Sequence, residues 1–161
     1  MKIRSSAKAL IIKEGKLLVI QCQREGKEYY TLPGGGQEPL ESLEQTVIRE
    51  CLEEAGLSIR VKSLAAVQEE IIIDPKSVQN SPDYCHQHFW YFRCELTGNQ
   101  PQSPTHHDLG QVGIQWIPLG QVCKLPILPE WLQEQAETIL ASETTSFLGT
   151  VIHEKPILSK T

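Results

Sequence analysis

No stretch of this chain stays apolar for long enough to cross a bilayer as a helix. Its opening residues, Met1-Lys2-Ile3-Arg4-Ser5-Ser6, lack the apolar core of a secretory leader. The expectation is therefore a cytoplasmic protein with no membrane partner. A strong charge of one sign is missing too: 15 Lys+Arg against 20 Asp+Glu leave a net charge of −5. A nucleic-acid polymer calls for a basic surface, so that partner class is not expected. Small nucleotides, whose charge metal ions can screen, are not excluded. There is no Cys-x-x-Cys pair, and the five cysteines (Cys22, Cys51, Cys85, Cys94 and Cys123) are odd in number. Both facts argue against a disulfide framework or a zinc knuckle. The pair His86 and His88 has no further ligand beside it in sequence, so it weighs little as a metal site. Internal repeats and linker-like segments are also absent, and 161 residues suit one domain spanning 1–161.

What the chain does have is concentrated between Gly35 and Leu57. The extended run Tyr29-Tyr30-Thr31-Leu32 leads into Pro33-Gly34-Gly35-Gly36, where glycines allow close approach of the backbone to a ligand. Ser42 with Gln45 three residues later predicts a capping box at a helix start, and Gly56 predicts its left-handed end. Leu43, Val47, Ile48, Cys51, Leu52 and Ala55 fall on one half of that helix and predict its packing face. Glu50, Glu53 and Glu54, spaced i, i+3, i+4, share the other face with Arg49 beside them. Like charges at that spacing cost ~0.2–0.5 kcal/mol per pair. Arg49 can offset one carboxylate, and the rest call for a cation. Carboxylate oxygens are hard ligands and favour Mg²⁺, Mn²⁺ or Ca²⁺.

Gly35-x5-Glu41-x7-Arg49-Glu50-x2-Glu53-Glu54-x-Gly56-Leu57 resembles the Nudix box of the Nudix hydrolases. Cys51 departs from the usual bulky aliphatic residue, and Leu40 stands where many members have glycine. The resemblance implies an α/β protein: a Nudix-type α/β/α sandwich, with a mixed curved sheet between helices. It implies metal ligation by Glu50, Glu53, Glu54 and the Gly34 carbonyl, and catalysis by Glu50, Arg49 and Glu53. Glu50 is either a ligand or the base. Glu41, Glu38 and Gly35 would support the site. The implied cofactor is Mg²⁺, with Mn²⁺ as substitute. The implied reaction is hydrolysis of a nucleoside diphosphate linked to a moiety X, such as a nucleoside triphosphate, ADP-ribose or a nucleotide sugar. The products would be a nucleoside monophosphate and phosphorylated X. The alternative is a non-catalytic, nucleotide-sensing domain of the same fold. Relatives are often homodimers, although no interface is legible here. Asp108, in a loop between two expected strands, is a candidate for a further catalytic or substrate contact.

Elsewhere, alternation predicts strands at Ser5–Ile12, Lys16–Cys22, Tyr29–Leu32, Ser58–Ile73 (as one strand or two), His86–Leu96 and Val112–Ile117. Pro129–Leu140 reads as a helix. Asp74–Asp83 and Thr97–Leu109 read as loops, and Phe147–Ile152 as an edge strand or a packed extension. Tyr30, Trp90, Tyr91 and Trp116 are candidates to stack on a base, against the commoner role of core aromatics.

Overall fold

The computed structural model describes residues 2–98 and 110–155. Asp108 lies outside the described residues. The chain starts with two strands, β1 (Arg4–Lys13) and β2 (Lys16–Arg24), then β3 (Lys27–Thr31). Two-residue Glu-Gly turns join them, with Glu14 and Gly15 at φ 51° and 72° and Glu25 and Gly26 at φ 50° and 76°. Two positive φ values in succession are the hairpin turn that matches strand twist. The registers Lys13↔Lys16 and Arg24↔Lys27 close directly on these turns.

Next come β4 (Gly34–Gly36), α1 (Leu43–Ala55), β5 (Ile59–Ile72), α2 (Pro75–Asn80) and β6 (His86–Leu96). After the Thr97–Leu109 segment follow β7 (Gln111–Pro118), β8 (Ile127–Leu128), α3 (Trp131–Ala141) and β9 (Ser146–His153). The strands make one mixed sheet in the order β8-β3-β2-β1-β6-β5-β9, with β4 on β1 and β7 on β2. Strand alternation divides the core. Ala7, Ala9 and Ile11 pack with Val47, Cys51 and Ala55 of α1. Leu10, between them in β1, packs with Trp131, Leu132 and Ile139 of α3. The helices thus cover opposite faces, which is the expected α/β/α sandwich.

Ser58–Ile73 resolves as a single strand, with register shifts between Val61 and Ser63 and between Leu64 and Ala66. The tail forms β9, which pairs in parallel with β5 at the sheet edge. Three expectations are corrected. The Asp74–Asp83 loop contains α2, because Asp74 caps the Ser77 amide and Pro75 occupies the first turn, where a missing N–H costs nothing. The glycine loop is itself a short strand, since Gly34, Gly35 and Gly36 pair with Lys8, Ala7 and Ser6. On α1, Ile48 is 40% exposed rather than packed, while Glu54 is buried. The helix lies rolled toward the β4 side, which carries Glu54 under the loop.

Candidate active site

The site is the join between β4 and α1. The helix begins as expected, with the Ser42 hydroxyl accepting from the Gln45 amide and the Gln45 side chain accepting from the Ser42 amide. It ends at Gly56, φ 65°, whose N–H returns to the last turn. Between loop and helix, Leu40 keeps a left-handed φ of 68° and is fully exposed. The departure from glycine therefore leaves the backbone turn in place, with the strain carried by a leucine.

Arg49 organises the cluster. Its Nε and Nη2 grip both oxygens of Glu41 at 2.8 and 2.9 Å. Nη1 reaches Glu50 at 2.9 Å and Glu53 at 3.3 Å, and Nη2 also donates to the Gly36 carbonyl at 3.1 Å. Glu41 further accepts from the Thr46 hydroxyl and the Glu38 amide. Its carboxyl is held down at about 2, chiefly by the Arg49 hydrogen bonds. The same fork raises the Arg49 guanidinium above its usual range. Glu38 enters this structure through its backbone N–H to Glu41.

Glu54 accepts from the Gly34 amide at 2.8 Å. The Gly34 carbonyl accepts from the ammonium of buried Lys8, which also reaches the Leu32 carbonyl at 3.5 Å. Lys8 is thereby a site residue. Its place in an otherwise apolar run, Ala7-Lys8-Ala9-Leu10, was the available signal. A Cβ at Gly35 would lie 2.4–2.7 Å from the Glu50 carboxylate, so glycine there is what lets the carboxylate rest against the loop. Glu53 is the most exposed of the cluster at 38% of its side chain, against 14% for Glu41 and 15% for Glu50. Cys51 is fully buried, and burial pushes its thiol well above the usual range; it packs as a small hydrophobe.

Three carboxylates, a loop carbonyl and one arginine make an oxygen-rich set that fits a hard divalent cation. Glu41, Glu50, Glu53 and Glu54 stand against the two cations Arg49 and Lys8, which leaves surplus negative charge at the loop.

The aromatic candidates belong to the core: Tyr30 and Tyr91 on the α3 face, Trp90 and Trp116 against the α1 face. Arg93 is bound to the Leu64, Ile139 and Thr144 carbonyls. An open cleft of about 660 Å³ lies instead among Tyr29, Ile127, Leu128, Glu130, Gln133 and His153. It is lined from β3, β8 and β9, strands from opposite ends of the sheet order, so the sheet curls until its ends approach.

Near that cleft, on the α3 face, Glu70 is mostly buried, and desolvation together with Glu130 raises its carboxyl to about 7. The nearest cation candidate, His153 Nε2, lies 3.8 Å away, too far for a hydrogen bond, and burial depresses its own pKa. A raised carboxyl imposes no penalty below its unfolded pKa of about 4.3. Stability then falls as pH climbs toward 7 and levels above it. Glu70→Gln is therefore expected to raise stability by about 2–3 kcal/mol at pH 8 and to change little at pH 4. Urea unfolding at the two pH values checks the sign.

Fold and site together define a class: a curled mixed sheet between helices, with an arginine-organised carboxylate cluster at a glycine loop. The NUDIX domain model matches residues 2–141, and the chain belongs to the NUDIX family. It is similar to nucleoside diphosphate-linked moiety X motif 6 of Mus musculus, 29% identical over 111 residues, covering 68% of this chain and 32% of that protein. It is also similar to the ADP-ribose pyrophosphatase of Methanocaldococcus jannaschii, 40% identical over 68 residues, covering 42% of this chain and 40% of that protein. The chain thus spans well under half the length of either relative. Among solved structures, a MutT protein from Bacillus halodurans superposes with a TM-score of 0.65 at 21% identity, covering 97% of this chain and 95% of that one. An ADP-ribose pyrophosphatase from Streptococcus suis gives 0.60 at 24% identity, covering 89% and 98%. At these identities the structures speak for the fold.

Proposed function

We propose that this protein is a divalent-metal-dependent hydrolase of nucleoside diphosphates linked to a moiety X, with Mg²⁺ as the physiological ion and Mn²⁺ as a substitute. The observation that carries this reading is the cluster at the β4–α1 join, where Arg49 holds Glu50 and Glu53 and the Gly34 amide holds Glu54. Glu50, Glu53, Glu54 and the Gly34 carbonyl would hold the ions. When bound, they supply charge neutralisation of the diphosphate and a water of lowered pKa.

The chain's own residues do the rest. Arg49 holds Glu50 in place beside Gly35, so that carboxylate, as ligand or as base, is fixed before substrate arrives. Glu41 fixes Arg49 in turn. Gly35 leaves the room in which the Glu50 carboxylate rests, which no side chain at 35 would permit. A small-molecule nucleotide is the partner this reading requires; it needs neither a nucleic-acid polymer nor a membrane, and among the described residues no helix is long and apolar enough to cross one.

ADP-ribose, nucleotide sugars, nucleoside triphosphates and dinucleoside polyphosphates, each with Mg²⁺, Mn²⁺ or chelator, form the test panel. One substrate is expected to stand well above the rest and to yield a nucleoside monophosphate plus phosphorylated X. Silence across the panel, with nucleotide binding still seen by calorimetry, would replace the enzyme reading by a sensing domain.

A further inference from the structure

The sheet assembles a second cluster that the box does not use. Side chains two apart on a strand share a face, and residues directly opposite across a ladder share it too. His86 and His88 are two apart on β6. Glu69 on β5 lies opposite His88, and Thr150 on β9 lies opposite Glu69. Two register shifts in β5, upstream of Glu69, set this pairing; a slip of one residue would send Glu69 to the other face. Glu70, its neighbour, does point the other way, into the α3 side beside Tyr91 and His153.

The donor atoms converge. His86 Nε2 is 2.9 Å and His88 Nε2 3.4 Å from the same oxygen, Glu69 Oε1, and all three ligand atoms lie within 4.8 Å of one another. Ligand atoms around one zinc ion are about 2.9–3.4 Å apart, given metal–ligand bonds near 2.1 Å. The rings meet edge to face, centroids 5.6 Å apart. The Thr150 hydroxyl donates to Glu69 Oε2 at 2.6 Å, leaving Oε1 toward the histidines and orienting the carboxylate, as outer partners of metal ligands do. That bond, with those from the histidines, holds the Glu69 carboxyl at about 2. All three residues are half-buried, open enough for an ion to enter.

We infer that Glu69, His86 and His88 form a metal site separate from the box, suited to a borderline transition ion such as Zn²⁺. Two imidazoles and one carboxylate favour zinc, nickel or cobalt over Mg²⁺, whereas the all-oxygen box favours the reverse. The two sites stand on different strands: β1 separates β6 from β4. A bound ion would tie β5 to β6 and, through Thr150, secure the edge strand β9, while three protein ligands leave a position for water or a small anion. A plain ion pair between Glu69 and a protonated histidine is the competing account, and it predicts no metal affinity.

The test is equilibrium dialysis of the chelator-stripped full chain against micromolar Zn²⁺ in excess Mg²⁺, which occupies the box. The unmutated protein and a Glu53→Gln, Glu54→Gln box variant should each retain one equivalent of zinc, and a His86→Ala, His88→Ala variant should lose it. Zinc retained equally by the histidine variant, or by none of the three, overturns the site. A second measurement needs no substitution. Substoichiometric Co²⁺, added in excess Mg²⁺, should shift the ring resonances of His86 and His88 far more than that of His153; unshifted His86 and His88 rings would overturn the inference even if the variant failed to fold.

Discussion

Glu53→Gln is expected to lower turnover by about 10³-fold while leaving the fold intact. The size follows from losing one charged group that acts on developing phosphoryl charge, ~4 kcal/mol of transition-state stabilisation. The lack of structural damage follows from the position of Glu53. It is the most exposed carboxylate of the cluster, and Arg49, which it meets at 3.3 Å, is already engaged by Glu41 and Glu50. Removing its charge relieves like-charge repulsion along the helix, so stability without metal should stay level or rise by a few tenths of a kcal/mol. Steady-state rates and thermal melts on the same preparations separate the two effects. A variant that keeps full metal-dependent rate would remove Glu53 from the site.

Arg49→Ala is the second large effect, and it should strike stability as well as rate. The guanidinium is the common partner of Glu41, Glu50, Glu53 and the Gly36 carbonyl. Its loss leaves three neighbouring carboxylates facing one another with no cation among them. Removing one partner of a fully buried pair costs about 3–5 kcal/mol. Here the Arg49 side chain keeps 25% of its exposure, so solvent screening brings the expected loss to about 2 kcal/mol. Mg²⁺ should recover more stability in this variant than in the unmutated protein, because an ion bound only by the folded state stabilises it in proportion to its affinity. Arg49→Lys should recover little, since an ammonium cannot reproduce the two-pronged grip on Glu41. Chemical unfolding with and without Mg²⁺ reads all three; a loss under about 0.5 kcal/mol for the alanine variant would mean the fork is ornamental.

The box was legible because its signals are local. Ser42 with Gln45, and Gly56 at the end, fix the helix by backbone needs alone, and the spacing of Glu50, Glu53 and Glu54 fixes a face. What spacing could not reveal is the roll of that helix on the sheet. Ile48 looked like a packing residue and faces solvent, while Glu54 looked solvent-facing and is buried under Gly34. Roll depends on the neighbouring sheet, where Lys8 stands ready beside the same loop. The α2 helix was hidden because Pro75 reads as a breaker unless Asp74 is seen to cap the turn. The Gly34–Gly36 strand was hidden because glycines have little strand preference; its pairing with Ser6, Ala7 and Lys8 is a backbone matter. Of the Glu69, His86 and His88 cluster, only the histidine pair was legible, and it weighed little without a third ligand. Glu69 lies 17 positions before His86, and its meeting with the histidines depends on two irregularities in β5. The first three strands, by contrast, followed from short apolar runs at Ser5–Ile12, Lys16–Cys22 and Tyr29–Leu32.

The central claim is that the Glu50, Glu53 and Glu54 cluster supports metal-assisted attack of water on a diphosphate. The most direct measurement is single-substrate hydrolysis in ¹⁸O-labelled water, with the best member of the nucleotide panel, in Mg²⁺ and in chelator. The account predicts one ¹⁸O atom on a product phosphoryl group in Mg²⁺, and no product in chelator. Product formed at an unchanged rate in chelator would contradict it.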